Sequence, residues 1–232
     1  MNSLQAATDT DGDTLPDEFE LIIGSAIDNK NTDGDKHTDD KEVMRGYDPV
    51  SKEEKKLEKS WFTLDTDNDG LSDLEEITLE TERENPDTDG DGYTDGVEIK
   101  NGFDPKSNDP TQKERYVTVS IAQQKLTYYS GDYVVSQYII STGLPGRDTP
   151  KGNFTVLKKL PLVDYIGKGY SYPKTKWNLR FKPSPAGNYY IHGAYWHDNF
   201  GKKKSSGCVN VAYPQMERLY HFAHEGMRVT IQ

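Results

Sequence analysis

The sequence predicts a multidomain protein in which a small α-rich region of repeated acidic loops precedes a mainly β domain with one helix. Charge divides the 232 residues, because residues 1–113 carry 32 acidic and 12 basic side chains whereas residues 114–232 carry 7 and 16. The acidic part repeats itself, and the basic part alternates apolar and polar residues as strands do. We place the boundary in the turn-rich segment 107–113.

Composition argues against several classes of protein. No stretch approaches the ~20 apolar residues of a membrane-spanning helix. Residues 1–13 have neither the charged start nor the apolar core of a secretion signal, so we expect no export signal in the chain as given. The single cysteine, Cys208, excludes an internal disulfide framework. The net charge of -11 and the lack of a recognition motif argue against nucleic-acid binding.

The acidic part is a duplication. Residues 9–49 align without a gap on residues 65–105, with 18 identical positions among 41, and both copies close on Gly-aromatic-Asp-Pro. A match of this length indicates a repeated module rather than shared composition. We expect a tail over 1–8, module one over 9–50, a short charged linker helix within 51–64, and module two over 65–106.

Each module contains two loops with the spacing of calcium-binding loops. Oxygen-bearing side chains stand at loop positions one, three, five and nine, and a glutamate stands at position twelve. A calcium ion takes about 6 to 8 oxygens, including the backbone carbonyl of position seven and both oxygens of the glutamate. The predicted ligands are Asp9, Asp11, Asp13, Leu15, Asp17 and Glu20; Asn31, Asp33, Asp35, His37, Asp39 and Glu42; Asp65, Asp67, Asp69, Leu71, Asp73 and Glu76; Asp87, Asp89, Asp91, Tyr93, Asp95 and Glu98.

These loops resemble bacterial thrombospondin type 3 repeats, relatives of the EF-hand, over nearly all of residues 9–105. The family's glycine at position six is present as Gly70 and Gly92, but Thr14 and Lys36 stand there in module one. A β-branched threonine resists a positive φ, so we expect weaker or differently shaped sites in module one. Without metal, the converging carboxylates would repel one another, so metal binding should be inseparable from folding. The alternative is a merely acidic, solvated tract, which the repeated register disfavours.

The basic part is predicted to be mainly β. Residues 117–121 alternate apolar and polar side chains, and residues 133–141 and 153–157 are also rich in strand-forming residues. One helix is expected over about residues 214–224, because Pro214 suits a first turn and Gly226 can end the helix.

Cys208 lies in the segment that carries the most chemistry, residues 190–211. His192 stands sixteen residues before the cysteine, and Gly207 directly precedes it. A thiol, a base and backbone N–H groups free to hold an oxyanion are what a cysteine nucleophile requires. On spacing alone, a buried and inert cysteine is an equally good interpretation.

Residues 114–232 resemble the catalytic domain of the L,D-transpeptidases of the YkuD family. That family's motif places a histidine in front of the Gly-Cys pair, where this chain has Ser206. That histidine is not the family's general base, so the base is still assigned to His192. The matching segments are His192-Gly193, Ser205 to Asn210, Ser141-Thr142-Gly143, Thr149 to Phe154, Trp177-Asn178 and Tyr195-Trp196-His197.

The resemblance implies a peptidoglycan L,D-transpeptidase that forms 3-3 crosslinks through a Cys208 acyl-enzyme and needs no metal for catalysis. The donor is a stem peptide whose third residue is a diamino acid followed by D-Ala. His192 would deprotonate Cys208, and the Gly193 carbonyl would orient His192. The N–H groups of Gly207 and Cys208 would hold the oxyanion. The expected substrate-binding residues are Ser205, Ser206, Asn210, Tyr190, Trp196 and His197.

Alternatives stay open at several residues and for the whole chain. Tyr190 and Trp196 are more often core aromatics than substrate contacts, and His197 could complete a zinc site with the cysteine and the first histidine. Residues 202–204, three lysines, are either a solvated loop or a patch that attracts the anionic wall. The rival functions are an L,D-carboxypeptidase and a catalytically silent, calcium-dependent wall-binding protein.

The location follows from the calcium loops and from the substrate. Loops of this kind fill at the high calcium found outside cells, and peptidoglycan lies there as well. We therefore expect an extracellular or cell-envelope protein. The sequence does not decide the oligomeric state, and we favour a monomer.

Overall fold

The computed structural model describes residues 8–13, 15–45, 47–53, 55, 64–167, 169–184 and 187–232. Contacts divide the chain into two compact units, residues 1–112 and 113–232. Most of the linker helix expected within 51–64 lies outside the described residues, and the described residues 51–53 and 55 are not helical. In the parts of the chain that the structure describes, no helix combines the length and the apolar character that crossing a bilayer requires.

The first unit is built from short helices, each of which begins at position nine of a loop. They are α1 (Asp17–Ile23), α2 (Asp39–Arg45), α3 (Asp73–Leu79) and α4 (Asp95–Asn101), of 7 residues each. Helices this short are marginal in isolation, so they depend on packing and on the loops. Their buried apolar side chains include Phe19, Val43, Ile77 and Ile99.

Within each module, the first loop bonds to the helix of the second loop. Asp13 Oδ2 accepts from the N–H of Asp40 at 3.1 Å, and Asp69 Oδ2 accepts from the N–H of Gly96 at 2.5 Å. In module two the approach is so close that a Cβ on Gly96 would lie 2.4 Å from the backbone oxygen of Asp69. Position ten of that loop therefore requires glycine, whereas module one has Asp40 there.

The second unit contains two sheets and one helix. Its elements in chain order are β1 (Arg115–Ser120), β2 (Lys125–Ser130), β3 (Tyr133–Ile139), β4 (Gly152–Thr155), β5 (Lys158–Gly167), β6 (Tyr170–Lys182), β7 (Tyr189–Gly193), β8 (Val209–Val211), α5 (Tyr213–Phe222) and β9 (Arg228–Ile231). One sheet has the order β3-β2-β1-β9-β4 and the other β5-β6-β7-β8. Neighbouring strands are antiparallel except for β1–β9 and β7–β8, which are parallel.

The predicted fold class is confirmed, and one element ends earlier than expected. Helix α5 has Pro214 in its first turn, as predicted, and it ends at Phe222, two residues before His224. Gly226 has a φ of 90° and lies in the turn after the helix, where its N–H donates to the Val156 carbonyl at 2.8 Å. Met216 and Leu219 are fully buried on the packed face of the helix.

The end of β3 is fastened to β8, which fixes the surroundings of the cysteine. Ser141 and Asn210 exchange two backbone hydrogen bonds of 2.8 and 2.9 Å, and Gly143 bridges to Ser205. Because both links lie within five residues of Cys208, the segment after β3 is held beside the turn that carries the cysteine.

The close approach at Gly96 predicts the effect of adding one methyl group. Alanine is about 1 kcal/mol better than glycine inside a helix, but overpacking against a backbone atom costs about 1 to 3 kcal/mol. We expect Gly96→Ala to lower the free energy of unfolding of the first unit, measured by denaturant titration. Val97→Ala, on an exposed side chain of the same helix, is the control and should stay within about 0.5 kcal/mol. A more stable Gly96→Ala variant would contradict the close approach.

Candidate functional site

The parallel pair β7–β8 places the histidine and the cysteine side by side. His192 is in register with Asn210, and Ile191 with Val209, so that Cys208, just before β8, stands level with Tyr190. Residues in register or two apart share one face of a sheet. His192, Cys208, Tyr190 and Asn210 therefore lie on the same face. His192 is 3% exposed, whereas Cys208 is partly exposed.

The imidazole of His192 is held in one tautomer. Its Nδ1 lies 2.8 Å from the backbone carbonyl of Gly193, and because a carbonyl can only accept, Nδ1 carries the proton and donates. Nε2 is therefore left without a proton and can act as a base. Burial lowers the pKa of His192 to about 4, so the ring is neutral at pH 7.

The thiol of Cys208 is also uncharged at rest. Burial raises its pKa to about 11, because the thiolate would lose water that a backbone hydrogen bond with Tyr190 replaces only in part. The resting site is therefore a neutral thiol beside a neutral imidazole. A thiolate can form only if the thiol proton moves to Nε2 and the developing negative charge is stabilised.

Tyr165 is part of this site, although the sequence did not identify it. Its ring stacks on His192 with 4.6 Å between centroids and 27° between planes, and its hydroxyl donates to Asn178 Oδ1 at 2.9 Å. Asn178 is fully buried, in register with His192, and donates to the carbonyls of Leu160 and Thr175 at 3.1 and 2.9 Å. Burial raises the pKa of Tyr165, which keeps its hydroxyl protonated.

The turn before Cys208 is organised by Ser205. Its hydroxyl donates to the Cys208 carbonyl at 2.5 Å and accepts from the N–H of Gly207 at 3.1 Å. Gly207 has a φ of 117°, which favours glycine, and a Cβ there would lie 2.7 Å from the ring of Tyr189. The N–H of Gly207 is thus engaged inside the turn, whereas no acceptor is found among the described residues for the N–H of Cys208.

Asn210 and His197 form a second polar pair beside the catalytic candidates. The Asn199 N–H donates to His197 Nδ1 at 3.2 Å, so the proton of this ring belongs on Nε2, which lies 2.9 Å from the side-chain amide of Asn210. The atom of Asn210 at this distance is Nδ2, and the buried Oδ1 has no partner among the described residues. The amide orientation in which Oδ1 accepts from Nε2–H satisfies both groups.

The remaining predicted substrate contacts differ in exposure. Tyr190 is buried and packs edge-on against Tyr165 with centroids 5.6 Å apart. Trp196 is half-buried, stacks on Tyr172 at 4.0 Å and lies 5.7 Å from the His192 ring. Ser206 is exposed and accepts a hydrogen bond from Arg147, another residue that the sequence did not single out as functional.

The loops of the first unit bring their predicted carboxylates together. Leu15, His37, Leu71 and Tyr93 at position seven each donate a backbone N–H to the position-five aspartate. Asn31 accepts from the N–H of Gly34 and donates to the carbonyl of Asp35. The carboxylate groups, each with ligand atoms within 4.8 Å of one another, are Asp9, Asp11 and Asp13; Asp13, Glu20 and Asp39; Asp33, Asp35 and Glu42; Asp65, Asp67 and Asp69; and Asp87, Asp89 and Asp91.

These loops contain buried carboxylate oxygens that have no partner within the described residues. They occur at position three and at position twelve of all four loops, so the pattern follows the loop register. Burial and the neighbouring carboxylates raise the pKa of Glu20 to about 8, of Glu76 to about 9 and of Glu98 to about 8. Such atoms fit a cation, which would supply the missing partner. The atoms at positions three and twelve are Asp11 Oδ2, Asp33 Oδ2, Asp67 Oδ2, Asp89 Oδ2, Glu20 Oε2, Glu42 Oε2, both Glu76 oxygens and Glu98 Oε2, and Asp65 Oδ1 is a further one at position one.

Position nine makes contacts that the sequence did not predict. In every loop its two carboxylate oxygens accept from the threonine at position two, one from the N–H and one from the hydroxyl, at 2.6 to 3.0 Å. The hydroxyl and N–H of Thr10 accordingly lower the pKa of Asp17. We call these pairs the position-nine latches: Thr10–Asp17, Thr32–Asp39, Thr66–Asp73 and Thr88–Asp95. Of the four aspartates, only Asp39 also belongs to a carboxylate group.

Position six differs between the modules. Gly70 and Gly92 have φ values of 105° and 96°, and their N–H groups donate to the position-one aspartates Asp65 and Asp87. Lys36 does not adopt a positive φ, and Thr14 lies outside the described residues. The loop at Asn31 therefore turns without the left-handed residue that module two uses at this point.

Two protein-family models match the chain. The L,D-transpeptidase catalytic domain, YkuD, matches residues 114–231, and the bacterial TSP3 repeat matches residues 9–25, 65–81 and 87–108. The first match covers half of the chain, and the predicted family is confirmed: the chain belongs to the YkuD family of L,D-transpeptidase catalytic domains, preceded by bacterial TSP3 repeats. TSP3 repeats are calcium-binding repeats. The loop that begins at Asn31 lies outside the matched segments.

Solved L,D-transpeptidases are similar to the second unit. One from Mycobacterium smegmatis is 25% identical, covering 53% of this chain and 60% of its own, with a TM-score of 0.48. One from Mycobacterium tuberculosis H37Rv is 26% identical, covering 53% and 59%, with a TM-score of 0.45. A mutant of the Enterococcus faecium enzyme is 23% identical, covering 52% and 50%, with a TM-score of 0.47. The chain thus spans less than two thirds of these proteins. No curated protein matches it.

The burial of His192 predicts a pH dependence of stability. Its pKa is about 4 in the folded protein and about 6.5 when unfolded, so the unfolded chain binds the proton first as pH falls. The stability linked to this ring is fully present above pH 6.5 and is lost as pH falls towards 4. Relative to His192→Gln, the protein should lose about 2 to 3 kcal/mol between pH 7 and pH 4.5, measured by urea unfolding. Parallel losses in the two proteins would show that the ring is not withdrawn from water.

Proposed function

We propose that this protein is a peptidoglycan L,D-transpeptidase that forms 3-3 crosslinks through an acyl-enzyme on Cys208, with a repeat region stabilised by calcium. The observation that carries the proposal is the pairing of a partly exposed Cys208 with a buried His192 whose Nδ1 is committed to the Gly193 carbonyl. That arrangement leaves one base position, Nε2, on the same sheet face as the thiol.

Acylation begins with a proton transfer. His192 Nε2 takes the proton of Cys208 Sγ while the sulfur attacks the carbonyl carbon of the third stem residue. The C–N bond to D-Ala then breaks, the leaving amine takes the proton from the imidazolium, and a thioester remains. Because both groups are neutral at rest, the charge separation develops only as the sulfur–carbon bond forms. The side-chain amine of a second stem peptide resolves the thioester to give the crosslink.

The oxyanion is held by the N–H of Cys208 in this mechanism. A donor aimed at the developing charge is worth about 3 to 4 kcal/mol in comparable acyl transfers. The N–H of Gly207 is a less direct candidate, because it already donates to Ser205 Oγ at 3.1 Å. Gly207 then contributes by allowing the turn, and Ser205 by holding the Cys208 peptide in place.

The structure supports separate roles for the residues around this pair. Tyr165 and the buried Tyr190 wall the side of His192, whereas Ser206 is exposed beside the nucleophile. We assign substrate contacts to Asn210 and His197, which form a hydrogen-bonded pair, and to Trp196, whose ring lies 5.7 Å from that of His192. The substrate class, peptidoglycan stem peptides, places the working protein in the cell envelope or outside the cell.

Calcium is the cation that the loops of the first unit fit best. Asp, Asn and Glu oxygens are hard ligands, and the oxygens at positions three and twelve are buried without a partner among the described residues. When bound, the ions would neutralise the converging carboxylates and so couple metal binding to folding. The position-nine aspartates hold the loop closed through their latches, with Asp39 also placed to reach the cation.

Cys208→Ala should abolish acyl-enzyme formation. Incubated with a stem tetrapeptide, the parent protein should gain the mass of the donor minus D-Ala, seen by intact-protein mass spectrometry, and the variant should gain none. His221→Ala, on an exposed side chain of α5, is the control that keeps the thiol. Product analysis separates transfer from hydrolysis, because crosslinked dimers form only in transfer and an L,D-carboxypeptidase yields only trimmed tripeptides. An unchanged adduct in Cys208→Ala would remove the nucleophile assignment.

Glu76→Gln should weaken one calcium site of module two. Both oxygens of Glu76 are buried without a partner, and the amide keeps the shape while removing the charge that a cation needs. We expect at least a tenfold loss of affinity at one site, or one site fewer, by isothermal titration calorimetry. Glu84→Gln removes the same charge from an exposed position and should bind calcium as the parent does. Equal isotherms for all three proteins would contradict the calcium assignment of this loop.

A further inference from the structure

The segment Gly143–Thr149 carries part of the family motif but has no role in the mechanism above. Its backbone is tied to the turn before the nucleophile, because the N–H of Leu144 donates to the Ser205 carbonyl at 3.0 Å. Within the segment, Gly143 N–H donates to Thr149 Oγ1 at 2.9 Å, and Arg147 N–H donates to the Leu144 carbonyl at 2.8 Å. The segment is therefore a tight, internally bonded loop.

Arg147 also packs against the turn that carries the nucleophile. A Cβ on Gly143 would stand 2.0 Å from the Arg147 carbonyl oxygen, and one on Gly207 would stand 3.5 Å from the same atom. The Arg147 backbone thus packs both on its own loop and on the residue directly before Cys208. Backbone contacts therefore fix the position of Arg147, in addition to any contact that its side chain makes.

The guanidinium of Arg147 extends along the same turn. Its Nη1 donates to Ser206 Oγ at 3.3 Å, and the side chain is exposed. Asp148, the adjacent acid, instead contacts Lys203 at 3.7 Å and accepts from the N–H of Gly146 at 3.3 Å. Among the described residues no carboxylate pairs with Arg147. A guanidinium has five N–H donors, so most of them face solvent beside the nucleophile.

We propose that Arg147 is a specificity-determining residue that binds the α-carboxylate of the D-amino acid that leaves the donor stem. The inference rests on the proposed function, which makes that amino acid the leaving group. Bond lengths place its carboxylate carbon about 3 to 4 Å from the scissile carbonyl carbon, and therefore close to the nucleophile. A planar guanidinium matches a carboxylate through two parallel hydrogen bonds. Ser206 orients the guanidinium, since its hydroxyl accepts from Nη1.

The proposal has a consequence for donor length. A donor with one more residue carries its carboxylate about 3.5 Å further along the chain, beyond the guanidinium that Ser206 and the loop hold in place. An amidated donor keeps the length but loses the charge. Arg147 would therefore favour donors that end in a single D-residue with a free carboxylate.

The test measures binding in a background that cannot react. In Cys208→Ala, the dissociation constant of a stem tetrapeptide with a free terminal carboxylate is compared with that of the same peptide ending in D-alaninamide, by calorimetry. We expect the carboxylate form to bind about 10- to 100-fold more tightly. Adding Arg147→Gln should remove this preference while leaving the amide's affinity within twofold, and Arg147→Lys should keep part of it. Lys203→Gln removes a charge from the facing loop and should preserve the preference.

The outcomes separate a recognition role from a structural one. If Arg147→Gln weakens the binding of both peptides equally, or of neither, Arg147 does not recognise the carboxylate and the proposal is overturned. A preference that disappears with Lys203→Gln as well would overturn it too, because general positive charge would then explain the binding. The proposed function is judged separately by acylation of the parent protein, so its failure leaves the binding comparison for Arg147 intact.

Discussion

The parallel pairing of β7 and β8 is the constraint on which the catalytic site depends. It places the imidazole of His192 and the thiol of Cys208, sixteen residues apart in the chain, on one face of the sheet. A shift of the register by one residue would turn one of these side chains to the other face. Burial then keeps both uncharged, and the Gly193 carbonyl fixes which nitrogen of His192 can accept the proton. The ring of Tyr165 covers one side of His192. Its hydroxyl is held by Asn178, the residue of β6 that is in register with His192.

In both units, the sequence predicted the residues whose proposed chemistry follows from their spacing along a short segment. The loop register identified the orphan oxygens at positions three and twelve, and the motif around Cys208 identified His192 and Gly193. Position nine stays a predicted ligand, and the spacing alone does not show that the threonine at position two donates to both of its oxygens. The signal was present as a threonine seven residues before each of these aspartates.

The residues that the sequence did not identify depend on contacts between distant segments. Tyr165 stacks on His192 although the register places Leu160, and not Tyr165, opposite Asn178. The β5–β6 hairpin must therefore curve back over His192, and a run of strand-forming residues does not specify that curvature. Arg147 reaches Ser206 across 59 residues, through a loop whose path is set by a glycine too close to a carbonyl for any side chain. Helix α5 ends before Gly226 because the chain must turn there to bring Met227 and β9 back to the sheet.

Both units hold polar groups that have been withdrawn from water without a full set of partners. In the loops these are carboxylate oxygens, and their raised pKa values measure the cost of charging them in the absence of a cation. In the cleft they are a thiol and an imidazole, whose pKa values are moved apart by the same desolvation. A buried group of this kind gains most from a ligand that brings the missing charge or hydrogen bond. The same physical cost therefore underlies both proposals, a cation for the first unit and a peptide carbonyl for the second.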